Sequence, residues 1–192
     1  GSITYNTMGR EFIDGGLNEA GLYIGEMTLM DTQFPTDEST PKIYHHFWMQ
    51  YQLDNFATVD EVIQNLNGVM IDGHCKWHFF IADKQGNSAA IEYLNGKPVI
   101  HKNESLPSKI LCNTTYSSDL DSLKLYQGYG GARLIDLNDK ENTKRTVRGT
   151  EYIKQYISSS DKPIVDAAFE LLALLDLGNN LWRVVYELKG MK

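Results

Sequence analysis

Asn113 directly follows Cys112, at the end of the short apolar run Ile110-Leu111-Cys112. By residue type alone, asparagine there is a common turn former. Arg145 lies in the densest basic cluster, Lys144-Arg145 with Arg148. By residue type alone a solvated surface position is the plainer reading. His45-His46, His74, Cys75 and His78 are zinc-competent donors. Their spacing is not that of a helical ligand pair and His78 falls in a strand-like run, so no metal site is expected. Cys75 beside a histidine would make a thiol nucleophile, but nothing supplies the third, orienting group. In Asp14-Gly15-Gly16-Leu17-Asn18-Glu19-Ala20-Gly21-Leu22 the asparagine tolerates left-handed backbone and the glutamate can satisfy nearby amides. That motif therefore reads as structural rather than catalytic.

The elements that must position these residues are partly visible in the pattern. Ile3 to Asn6 reads as a strand, and a Gly15-Gly16 turn leads to a second strand over 21–29. Residues 31–42, polar with two prolines, form a surface loop. A helix over 44–53 follows. Thr58-Val59-Asp60-Glu61 has capping-box form and opens another helix that Gly68 stops. Residues 77–82, 88–94 and 97–101 are strand-like and joined by Asp83-Lys-Gln-Gly-Asn87 and Asn95-Gly96. The Asn-Gly pair fits a type I′ turn, so the three form an antiparallel meander. Ile110 to Cys112 reads as a further strand. Helices are expected over 118–126, 150–157 and about 161–176, the last with Pro163 in its first turn. Residues 181–188 alternate apolar and polar, the pattern of a half-buried strand.

Composition sets the outer limits. With 192 residues, 42% hydrophobic and 22% charged, the chain suits one folded domain. A net charge of −7 argues against a nucleic-acid partner. No apolar run is long enough to span a bilayer. Two cysteines, Cys75 and Cys112, read as buried free thiols rather than as a disulfide framework. The compartment is not legible.

The stretch over 14–22 resembles the DG(M)NEKGL signature of the choloylglycine hydrolase family, also called linear amide C–N hydrolases. Ile110-Leu111-Cys112-Asn113-Thr114-Thr115-Tyr116 resembles that family's VLTNSPT(Y/F) segment. The meander over 77–93 is similar to its LHWMISDxxGxSxVxE run. Lys144-Arg145-Thr146-Val147-Arg148 stands where the family has SRFIR, and residues 181–189 resemble its late strand ending in VYDLK. The motifs occur in the family's order, and the resemblance covers most of the chain.

The resemblance implies an α+β, N-terminal-nucleophile hydrolase-like fold, a four-layer αββα sandwich with antiparallel sheets, as a single domain over 1–192. It implies hydrolysis of amide C–N bonds in N-acyl substrates such as conjugated bile salts or penicillin V. An N-terminal cysteine thiol would attack and its own α-amino group would carry the proton. Since the chain begins Gly1-Ser2-Ile3, that nucleophile and the first strands are expected to be missing from it, leaving the sheet incomplete with an unpaired edge. Between Leu177 and Trp182 the family also carries a longer segment. Carried over by position, Asn113 is the active-site asparagine and Arg145 the orienting arginine. Thr28 stands at the oxyanion-side position, where the family usually has Asn or Tyr. No cofactor is implied, the partner is a small N-acyl amide, and a homo-oligomer is left open. The rival reading is a catalytically inactive binding module on the same fold.

Overall fold

The computed structural model of the chain describes residues 1–36, 39–159, 161–178 and 182–190. They form two compact units, the first Gly1–Pro107 with Asn113–Thr115 and Tyr186–Lys192, the second Ser108–Cys112 with Tyr116–Val185. No helix among the described residues is long and apolar enough to cross a membrane.

In the first unit the strands are β1 (Ser2–Tyr5), β2 (Gly15–Asn18), β3 (Leu22–Thr28), β4 (Lys42–Ile43), β5 (Met70–Ile71), β6 (Trp77–Asp83), β7 (Ser88–Leu94) and β8 (Lys97–Lys102). Six of them form one sheet in the order β1-β2-β3-β6-β7-β8, antiparallel throughout; β4 and β5 pair in parallel. The meander is as its turn residues dictate, with Asn95 at φ 53° and Gly96 at φ 73°.

Helices α1 (His45–Asn55) and α2 (Val59–Gln64) cover the sheet face that carries Ile24, Phe79, Ile81 and Ile91. Trp48, Met49, Leu53, Val59 and Val62 are buried there, each worth about 1.5–3 kcal/mol of apolar burial. The capping box of α2 is complete: Thr58 Oγ1 accepts from the Glu61 amide and the Glu61 carboxylate accepts from Thr58 N. Asp83 joins this helix to the meander by accepting from Val59 N at 3.1 Å and from the turn amides of Gln85 and Asn87.

Gly15 and Gly16 are not a turn. They lie inside β2, where a Cβ on Gly15 would meet the Tyr5 hydroxyl at 2.4 Å and one on Gly16 would meet Ile3 O at 2.7 Å. Close approach, not turning, requires them. The turn falls later, at Gly21 with φ 93°.

The second unit holds α3 (Tyr116–Leu123), α4 (Arg145–Ser159) and α5 (Ile164–Leu175). Ile110 to Cys112 forms no strand. Instead Ile110 packs on α4, where a Cβ at Gly149 would come within 2.8 Å of its Cγ1. Ser108 Oγ lies 2.6 Å from Thr150 Oγ1, and the Tyr116 hydroxyl donates to Ser108 O at 2.6 Å. Helix α4 begins at Arg145, so the basic cluster lies at the helix start rather than before it. Arg148 is 1% exposed and donates to the carbonyls of Thr143 and Leu174. It holds the loop entering α4 to the end of α5, which is why it is not solvated.

Over the described residues 182–188 the alternating run is not a strand. Leu181 lies outside the described residues, and 182–187 have no regular structure. Within the first unit Tyr186 stacks on Tyr5 at 6.4 Å and meets Tyr23 at 5.7 Å between ring centroids. Alternation makes a strand only where a neighbour supplies ladder hydrogen bonds.

Candidate active site

Thr28 ends β3, paired with Trp77 of β6. Asn113 Nδ2 donates to Thr28 O at 3.1 Å, across 85 residues of chain. Two of the three positions singled out in the sequence are thus in direct contact, both in the first unit. Arg145 belongs to the second unit, half-buried at the first residue of α4. Its charge acts on Cys112, whose thiol is nevertheless pushed up, chiefly by burial.

Thr28 also lines a cavity of about 300 Å³ with Glu26, Tyr44, His45, Cys75 and Trp77 among its walls. The alternation of β3 puts Glu26 and Thr28 on one face, the face that α1 covers. Glu26 is 4% exposed at its side chain and lies beside Asp14 on the same cavity wall. Burial first, and Asp14 second, push its carboxyl up to about 9. His45 opens α1; burial and the neighbouring His46 push it down to about 4. At neutral pH the pair is therefore a protonated carboxyl facing a neutral imidazole. The Cys75 thiol is pushed up to about 12 by burial and by the Glu26 and Asp72 charges. It is not an activated nucleophile.

Asn18 of the glycine-rich motif is structural. Its Nδ2 donates to Leu53 O and Phe56 O, both at 2.7 Å, and its Oδ1 accepts from Ala20 N and Leu22 N. It ties the end of α1 to the β2–β3 turn. Glu19 does not share that work; its side chain is 83% exposed. Of the zinc-competent residues, His45, His46, His74 and Cys75 line the one cavity, while His78 pairs with Glu92 at 3.1 Å. Glu26 was not singled out by the sequence reading. The available signal was an acidic residue inside the apolar run Leu22–Leu29.

Solved structures share this fold. Penicillin V acylase from Agrobacterium tumefaciens superposes with a TM-score of 0.73 at 27% identity, over 89% of this chain and 54% of that one. A cysteine-to-alanine variant of the conjugated bile acid hydrolase from Clostridium perfringens gives 0.70 at 18% identity, over 95% and 64%. The fold class is that of the N-terminal-nucleophile hydrolases, α+β with an antiparallel sheet. The profile of the linear amide C–N hydrolases, choloylglycine hydrolase family, matches residues 3–150, and the chain belongs to that family. A penicillin V acylase from Pectobacterium atrosepticum is 30% identical over 152 residues, which cover 72% of this chain and 40% of that protein. The chain thus spans well under two thirds of the length of this relative.

Proposed function

We propose that this chain serves in hydrolysis of the linear amide bond of N-acyl substrates of the conjugated bile salt or penicillin V type. The nucleophile is an N-terminal cysteine lying outside these 192 residues. Its thiol adds to the amide carbonyl carbon and its α-amine takes the thiol proton. The collapsing adduct expels the amine, which takes that proton from the α-ammonium, and water then cleaves the thioester to the free acid and the thiol. Asn113 supplies a side-chain amide that holds the oxyanion or the cysteine terminus, oriented by the Thr28 carbonyl. Arg145 orients the catalytic group electrostatically. Both units belong to a single domain in this reading, which is supported by a family match running through 3–150 across their boundary.

The observation carrying the proposal is the Asn113–Thr28 hydrogen bond, which joins two positions that the family resemblance assigns independently. The test is Asn113→Ala in the full-length protein with its N-terminal cysteine exposed. Turnover of a conjugated bile salt or of penicillin V is expected to fall at least about tenfold, roughly 1.4 kcal/mol of transition-state stabilisation, with the far-UV spectrum unchanged. Unchanged turnover removes Asn113 from the site. Tight binding of the same compounds without any turnover in the unaltered protein favours an inactive binding module.

A further inference from the structure

We propose that Glu26, His45 and His46 form a binding site for one divalent transition-metal ion of the zinc class, open to the cavity beside Thr28. The inference goes beyond the amide hydrolysis reading and does not depend on it.

Three observations carry it. The first is ligand placement: one donor atom from each of the three residues can be chosen so that all lie within 4.8 Å of one another. Donors on a tetrahedral zinc stand about 3.4 Å apart, given bonds near 2.1 Å. His45 Nε2 and Glu26 Oε2 are 3.6 Å apart, too long for a hydrogen bond and close to the spacing of two ligands on one ion. The remaining separation needs only a small side-chain movement.

The second is unsatisfied polarity. Glu26 Oε2 and both ring nitrogens of His45 are buried with no hydrogen-bond partner. Their side chains are 4% and 3% exposed. Buried polar atoms in folded proteins are nearly always paired, and an ion is one of the few explanations for such a cluster.

The third is tautomer control. His46 Nδ1 lies 2.8 Å from Ile13 O. A carbonyl can only accept, so Nδ1 carries the proton and Nε2 keeps its lone pair. An imidazole donating its other N–H to a backbone carbonyl is the usual supporting arrangement of a metal ligand.

The experiment uses purified protein stripped with a chelator and then titrated with zinc, and in parallel with cobalt as a spectroscopic substitute. About one equivalent of zinc is expected to bind, counted by titration calorimetry. Cobalt is expected to develop the visible bands of a low-coordinate site. Glu26→Gln, His45→Ala and His46→Ala should each weaken zinc binding at least tenfold. His74→Ala, on the cavity wall but exposed, should leave it within twofold. Absence of stoichiometric zinc binding by the unaltered protein overturns the proposal. So does retention of affinity in His45→Ala, or a tenfold loss in His74→Ala. The first outcome is read on the unaltered chain, so a variant that fails to fold does not obscure the answer.

Discussion

The sheet of the first unit buries a glutamate beside two histidines on each of its faces, and the two groups are built differently. On one face Glu92 lies 3.1 Å from His78 Nδ1 and 3.4 Å from His101 Nε2, its side chain 0% exposed. All three come from neighbouring strands β6, β7 and β8, so ladder register alone holds them together. On the other face Glu26 comes from β3, while His45 and His46 come from the start of α1. There the carboxyl and the His45 imidazole stay 3.6 Å apart beside a cavity, and Glu26 Oε2 and both His45 ring nitrogens have no hydrogen-bond partner. Residue composition is the same in both clusters. What differs is that the first cluster is closed by the His78–Glu92 hydrogen bond, whereas Glu26 and His45 make none with each other and line a cavity with room for something else.

The contrast can be broken most forcefully at His78. Replacing it with alanine removes the 3.1 Å partner of Glu92 Oε1 and leaves a cavity in the sheet, a loss of about 3 kcal/mol. Native-state hydrogen exchange of the β6 and β7 amides should accelerate by roughly a hundredfold or more. Acceleration below tenfold would show that Glu92 does not rely on this histidine.

Glu26→Gln should act in the opposite direction in the metal-free protein. The folded carboxyl holds its proton up to about pH 9, whereas the unfolded one releases it near the ordinary carboxylate value. Stability is therefore present below the unfolded value and lost as pH rises toward 9. Removing the group should stabilise the protein at pH 8 by on the order of 2 kcal/mol, with little effect at pH 4. Equal effects at both pH values would mean that Glu26 is not held protonated. With zinc present, the order of wild type and variant should reverse.

His45 gives the smallest and mirror-image effect. Its folded value lies near 4, below the ordinary imidazole value, so the unfolded chain takes up a proton first as pH falls. Stability is lost from about pH 6.5 down to 4, and His45→Gln should relieve this by on the order of 1 kcal/mol at pH 4.5. A variant no more stable than wild type at that pH would contradict the buried, neutral imidazole.

Features coded within a few residues were legible in the sequence. The Asn95-Gly96 turn, the Thr58–Glu61 capping box and the three-strand meander are each specified by local backbone preference and side-chain chemistry. Misreadings arose where a residue's neighbours come from elsewhere in the chain. Gly15 and Gly16 signalled a turn because nothing local reveals the Tyr5 hydroxyl and the Ile3 carbonyl against which they pack. The burial of Arg148 was not legible within its basic cluster because its carbonyl partners include Leu174, on another helix. Residues 182–187 alternate as a strand would, but alternation carries no information about whether a pairing edge is available.

Ordered motifs along the chain are enough to assign the family, and local contacts within a turn or two are enough to assign its most regular elements. The meeting of Asn113 with Thr28, and of Glu26 with His45 and His46, was decided only by tertiary structure. Those contacts depend on the register of β3 against β6 and on where α1 lands on the sheet face. Both are set by burial summed over the whole core rather than by any residue near the site.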